Sequence, residues 1–270
     1  MESDEYLPKA LFAIDFKPNV NLAQFSIEMR NVPGSMQQQA ELVAAHGVNV
    51  LSGFHDAPLL AEKGMWSFFA DFTKADIEPE SLAGELRSLP TVLKVRYEST
   101  KDGFITDTMH FPVLLGNERA IIVRAPILVS MIKRITSIFG AESKSTQVIL
   151  HQLGEAGGQR AFESVKTMTG FDFIRKNAAR ALNLFTAVGW GNLTVKAVNL
   201  GTKTAEIHIK DGFESEDSRN TSSKPQCHFI RGLLAGWFSQ LFETKIDIIE
   251  TQCEAKGDPN CVFQVQAFKG

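Results

Sequence analysis

The last quarter of the chain, Cys227 to Phe263, limits the possible folds more than any other stretch, because it holds all three cysteines. It reads CHFIRGLLAGWFSQLFETKIDIIETQCEAKGDPNCVF, an amphipathic helix followed by two strands that close through Lys256-Gly257-Asp258-Pro259. Glycine and an Asp-Pro step are strong turn formers. Cys253 and Cys261 stand at equal distances from Gly257, so a hairpin closing there brings their thiols together. Cys227 follows Pro225 where the helix begins, and the free N–H groups of a helix start favour thiolate over thiol. Three converging sulfurs need one more donor to close a tetrahedral zinc site. The competing readings are three reduced core cysteines or a Cys253–Cys261 disulfide.

Glu250, three residues before Cys253, is the candidate fourth donor. On a regular strand the two would face opposite ways; the adjacent apolar pair Ile248-Ile249 breaks the alternation and marks the place for a bulge that re-aims one of them. His228 competes for the role, but as the helical neighbour of Cys227 it points elsewhere. A cysteine before a long helix, Glu-x-x-Cys on the next strand and a third cysteine after a Gly-Asp turn resemble the zinc-bearing 4-vinyl-reductase domain. That domain also forms the aromatic-sensing part of phenol- and xylene-responsive bacterial transcription regulators. The resemblance implies that Cys227, Glu250, Cys253 and Cys261 bind one structural zinc, and that the domain spans residues 104–268.

Composition sets the outer bounds. At 270 residues, with 44% apolar and 22% charged side chains, the chain is long enough for two ordinary domains. The net charge of −3 offers no basic field for nucleic acid. The start, MESDEYLPKA, has no apolar run, so no secretory leader is expected, and no stretch reaches the length of a membrane span. An odd cysteine count argues for a reducing cytoplasm. Twenty Phe against two Tyr suit a core that buries rings without hydroxyls to satisfy.

Residues 1–22 form an extension with one edge strand, Leu11 to Phe16. Over 23–99 the expected order is strand, helix, strand, strand, helix, strand, the ferredoxin-like split unit. Its first turn, Asn31-Val32-Pro33-Gly34-Ser35, places Ser35 to cap a helix that stops at Gly47. The Asn-Val-Pro-Gly turn resembles that of the ACT domain, a regulatory module that commonly binds amino acids. The resemblance implies a ligand at Asn31, Pro33, Gly34 and Ser35, where a glycine admits close approach and free helix N–H groups can receive a carboxylate. The plain alternative is a scaffold that only pairs subunits.

A polar hinge is expected at 99–103. Beyond it, 104–115 and 119–124 read as a hairpin through Gly116-Asn117. Pro126 opens a helix whose buried stripe is Ile127, Met131, Ile135 and Ile138. Val148–Leu153 reads as a short apolar segment, and the glycines of 154–158, which match no nucleotide loop, as a tight entry to the helix ending near Thr169. Phe171–Val188 is a further helix, with Phe173, Ala181, Leu184, Phe185 and Val188 on one side. Strands at 193–200 and 204–210 follow. The polar run DGFESEDSRNTSSK, residues 211–224, is expected to be a mobile loop.

The expected fold is therefore α+β. A ferredoxin-like, ACT-type domain precedes an α+β domain with helices packed on an antiparallel sheet and a zinc-bound C-terminal hairpin. Helices on a sheet leave a cavity between layers, and Phe111, Phe173, Phe185, Trp190, Trp237 and Phe238 are candidate walls, each also explicable as ordinary core. As a group they suit the hydrophobic or aromatic small molecule that the resemblance implies. Four protein ligands leave a zinc no open position; no Gly-x-Ser-x-Gly turn, paired-histidine motif or dinucleotide fingerprint supplies catalysis. The expected function is a non-enzymatic sensor, a homodimer by its resemblance to modules that pair, with a partner protein as output. The alternative is an enzyme or accessory factor in tetrapyrrole (vinyl reduction) or aromatic metabolism.

Overall fold

The computed structural model describes residues 7–58, 60–140 and 143–268; the acidic start, residues 1–6, lies outside the described residues. The chain divides between Val113 and Leu114 into two compact units.

The first unit contains β1 (Ile14–Phe16), β2 (Leu22–Arg30), α1 (Ser35–Ala45), β3 (Asn49–Asp56), β4 (Lys63–Asp71), α2 (Pro79–Ser88), β5 (Val92–Thr100) and β6 (Phe104–Thr106). Its four long strands form an antiparallel sheet in the order β3-β4-β2-β5, the ferredoxin-like arrangement that the element order predicts. The central strand β2 is buried on both faces. Ala23, Phe25, Ile27 and Met29 form one core with Val43, Leu82 and Leu86 of the two helices. Alternation sends Leu22, Gln24 and Ser26 to the other face, where Leu22, Phe69 and Ile105 make a small second core with Phe12. β6 pairs with β1, which moves the start of the second unit from the expected 104 to 114. The first turn also differs: Gly34, at φ 86°, is the residue that caps α1, and Ser35 is the first residue inside it. Only glycine takes that backbone angle without strain.

The second unit opens with a hairpin of two residues a side through Gly116-Asn117, β7 (Leu114–Leu115) and β8 (Glu118–Arg119), far shorter than expected. There follow α3 (Ala125–Phe139), α4 (Lys144–Thr169), α5 (Phe171–Lys176), α6 (Ala178–Ala187), β9 (Asn192–Asn199), β10 (Thr204–Lys210), α7 (His228–Phe242), β11 (Ile246–Gln252) and β12 (Cys261–Ala267). The antiparallel sheet runs β11-β12-β10-β9. Phe162, Phe185, Phe213, Trp237, Phe238, Phe242 and Phe263 are buried in one core.

The glycines of 154–158 do not start a helix. They lie within the continuous 26-residue α4. Gly154 and Gly158 meet the backbone of α7, and Gly232 and Gly236 of α7 meet that of α4: a Cβ at any of the four would stand 2.0 Å from a carbonyl oxygen of the other helix. Small residues four apart on both helices let the backbones touch, and that packing overrides the poor helix propensity of glycine. Asn177, whose side chain donates to the Phe173 carbonyl, divides the single helix expected at 171–188 into α5 and α6. The stripe expected to be buried on α3 faces outward: Met131 and Ile138 are each 59% exposed and Ile127 46%, while Val129 is the buried residue. Residues 211–224 are a packed strap, not a loose loop. Phe213 is buried and stacks edge-on against Trp190 and Phe229.

Candidate metal centre

Three elements bring four donors to one point. Cys227 immediately precedes α7, Glu250 lies near the end of β11 with Cys253 just beyond it, and Cys261 opens β12. Their three Sγ atoms and a Glu250 carboxylate oxygen all lie within 4.8 Å of one another, and all four residues are buried. The sulfurs are 3.8 Å (Cys227–Cys253), 3.5 Å (Cys227–Cys261) and 3.9 Å (Cys253–Cys261) apart. A disulfide would need about 2.0 Å, and all three thiols are free. A tetrahedron with metal–sulfur bonds of about 2.3 Å has edges of about 3.8 Å. The three sulfurs thus stand at tetrahedral corners.

The fourth corner is carboxylate. The Cys227 N–H donates to Glu250 Oε2 at 3.2 Å, while Oε1 is buried without a hydrogen-bond partner. Leaving such an acceptor unsatisfied costs about 1–3 kcal/mol, which a bound cation removes. Glu250 and Cys253 share a side because the ladder slips at Thr251: Glu250 lies opposite Phe263, and Gln252 opposite Val262. The irregularity expected at Ile248-Ile249 therefore falls later; those two residues keep regular register with Val265 and Gln264.

The electrostatics match a cation site. Burial, then the charge of Cys253, push the Glu250 carboxyl up to about 9. Hydrogen bonds from the Cys227 and Cys261 thiols pull Cys253 down, so one thiolate forms and its neighbours keep their protons. A divalent ion reverses that balance by stabilising every deprotonated donor together.

Four further residues hold the cluster. Asp258 accepts from the Cys253 N–H at 2.8 Å, and the Glu254 N–H donates to Cys261 Sγ at 3.4 Å. The Ser215 hydroxyl donates to the Glu254 carboxylate at 2.8 Å. Glu214 accepts from the N–H groups of Phe229 and Ile230 at 2.9 and 2.8 Å, and so caps α7 from the strap. No motif marks these residues in the sequence; the available signal was Phe213, an aromatic residue inside an otherwise polar run. His228 is buried but outside the donor cluster, with Nδ1 accepting from Arg231 at 3.2 Å.

The other expected sites are placed as follows. Phe185, Trp237 and Phe238 are core residues, and Trp190 is half-buried, edge-on to Phe185 at 5.7 Å. Phe173 sits on α5, more than a third exposed, and Phe111 is 80% exposed and belongs to the first unit, so neither is part of this core. The Trp237 indole N–H is buried with no partner. Asn31, Gly34 and Ser35 line a cleft of about 150 Å³ with Arg30, Gln37 and His55. Pro33 is not among its lining residues, and the Ser35 hydroxyl is buried without a partner.

The first unit also holds an Asp–His–Ser line that no spacing announced. Asp107 accepts from His110 Nδ1 at 2.8 Å, and His110 Nε2 lies 3.0 Å from both Ser26 Oγ and Ser67 Oγ. This is the skeleton of an activated nucleophile. Ser67 is wholly buried, however, and both serines sit on strands paired on both edges, whose N–H groups are spent in the ladder and cannot stabilise an oxyanion. The group is a latch that fastens residues 107–110 to the sheet. Among the described residues no helix is long and apolar enough to cross a membrane.

Comparison with known proteins places this geometry. The uncharacterized protein MJ1642 of Methanocaldococcus jannaschii is 46% identical over 43 residues, which is 16% of this chain and 27% of that protein. The uncharacterized protein MJ1460 of the same organism is 25% identical over 119 residues, 44% of this chain and 73% of that one. The chain thus spans about a quarter of the first relative and about three quarters of the second. The crystal structure of the phenol-responsive sensory domain of the transcription activator PoxR, with phenol, shares the fold over 57% of this chain and 79% of that one, with a TM-score of 0.50 and 22% identity. Residues 206–267, the stretch that carries α7, the C-terminal hairpin and all four clustered donors, match the vinyl-4-reductase domain family, and the chain is on that evidence a vinyl-4-reductase-domain protein.

Proposed function

We propose that the second unit is a sensor for a small hydrophobic or aromatic molecule, built around one structural zinc and acting as a homodimer without catalysis. The observation that carries this reading is the buried Cys227–Glu250–Cys253–Cys261 cluster at tetrahedral spacing within a fold shared with a phenol-responsive sensory domain. Three cysteines favour a soft or borderline cation over magnesium or calcium. Zinc held by four protein donors keeps no position for water; its part is to tie the start of α7 to the hairpin. The ligand contacts belong to the aromatic core: Phe185, Trp190, Trp237 and Phe238, with the unpartnered Trp237 N–H suited to donate to a ligand hydroxyl. The cleft at Asn31, Gly34 and Ser35 supports a second, ACT-like role for the first unit, receiving a small carboxylate ligand.

The test is metal analysis and native mass spectrometry of the whole chain, followed by titration with phenol monitored by tryptophan fluorescence. The expected result is one zinc per chain and saturable quenching. Absence of metal, or reductive turnover of an aromatic or tetrapyrrole substrate with NAD(P)H, overturns the reading.

A further inference from the structure

The outward face of α3 has no counterpart in its own unit. Ile121 and Val123 before the helix, and Ile127, Met131, Ile138 and Phe139 on it, are all exposed. At 150–250 Å² for a large side chain, about half of it exposed, these six present roughly 600 Å² of apolar surface. That is the upper end for a monomer and close to the ~800 Å² per partner of a standard interface. Between them runs a groove of about 530 Å³ lined by Arg124, Pro126, Ile127, Ser130, Met131 and Arg134.

We infer that this face receives the same face of a second copy, with the two α3 helices antiparallel about a twofold axis between Ile132 and Lys133. The inference rests on the homodimer proposed above and names its contact. Such an axis sets Ile127 against the partner copy's residue 138, apolar on apolar, and Met131 against its residue 134. Arg134 falls inside the stripe, and its aliphatic stem covers a methionine well. A lipid surface would have to take that arginine and Ser130 into its apolar layer. Charge agrees. Residues 120–140 contain no acidic side chain; Lys133 is paired with Asp217, while Arg124 and Arg134 make no ion pair among the described residues. The antiparallel arrangement keeps like charges apart and brings Arg124 to the far end of the other helix, where unpaired carbonyls carry partial negative charge. Ser130 supplies the low point that a facing ridge needs.

The test is analytical ultracentrifugation of the whole chain and of Met131→Glu, with circular dichroism and metal content as controls for folding. A dimer, at twice the 29.8 kDa chain mass, is expected for the wild type. A charge at the centre of the contact should weaken it at least about thirtyfold, leaving zinc and phenol binding intact. Ile127→Cys combined with Ile138→Cys should give a covalent dimer on mild oxidation. A wild type that stays monomeric at tens of micromolar overturns both dimer and contact. So does a monomer that cosediments with phosphatidylserine vesicles through Met131, which would assign the face to a membrane. A dimer that Met131→Glu does not weaken overturns this contact alone, and neither result touches the ligand reading.

Discussion

Replacing Gly154 by alanine should destabilise the second unit, while the same replacement at Gly157, three residues along the same helix, should stabilise it. A Cβ at Gly154 would lie 2.0 Å from the Phe229 carbonyl oxygen and 2.8 Å from the Leu233 nitrogen, whereas one at Gly157 meets nothing within 4 Å. Restoring an ordinary contact of 3.4 Å requires α4 and α7 to part by about 1.4 Å, and a gap of 0.5–1 Å already forfeits a quarter to a half of each dispersion contact. Overpacking of this kind costs about 1–3 kcal/mol, against which the helix propensity of alanine returns about 1. Because the three other glycines share the crossing, the loss spreads along both helices, and a net cost of about 1–2 kcal/mol is expected for Gly154→Ala. Gly157→Ala gains about 0.5–1 kcal/mol from propensity alone. For a unit of this size each kcal/mol moves the midpoint by about 2–4 °C, so the two variants should melt several degrees apart on opposite sides of the wild type. Thermal unfolding by circular dichroism at fixed zinc loading reads this directly. If Gly154→Ala melts at or above Gly157→Ala, the helix crossing is not held by backbone contact.

Other outcomes follow from the two sites. Cys253→Ser should lose metal and unfold the C-terminal unit, since structural zinc binding is coupled to folding; a folded, metal-loaded variant would remove Cys253 from the ligand set. Glu250→Gln should weaken metal retention against a chelator while His228→Ala leaves metal content unchanged, and the reverse pattern would make His228 the fourth ligand. His110→Ala should loosen residues 107–110, read as faster hydrogen exchange there with the sheet unaffected. Hydrogen bonds to Glu85 and then Asp76 raise the pKa of His46. That contribution to the first unit is therefore complete at pH values below the ordinary histidine range and is lost as pH rises through the raised value. His46→Gln should flatten this part of the stability–pH curve, and an unchanged curve would show that the pair does not matter in solution.

The metal donors were legible because they are rare in this chain and their spacing is fixed by one turn: Gly257 locates the hairpin, and the hairpin locates two of the cysteines. The ferredoxin-like order was legible because Ala23–Arg30 alternates cleanly and Gly47 ends the helix after it. What failed to read was tertiary. Gly154 and Gly158 look like breakers until the second glycine pair on α7 is set against them. The apolar period of α3 gave the right helix and the wrong buried side, because periodicity reports that a stripe exists and not which surface covers it. The strap failed for the opposite reason: twelve of its fourteen residues are polar, but Glu214 and Ser215 are consumed by the helix start and by Glu254, and one phenylalanine anchors the whole segment.

The extra residue at Thr251 has a consequence beyond aiming Glu250. β11 is the outermost strand of its sheet, and a flat outermost strand is an open template for another chain to extend. The kink spoils that template, since an added strand would have to reproduce a two-against-one step opposite Thr251 and then clear the turn beyond it. Growth of the sheet at this border is thereby blocked by the same backbone detail that brings a carboxylate to three sulfurs.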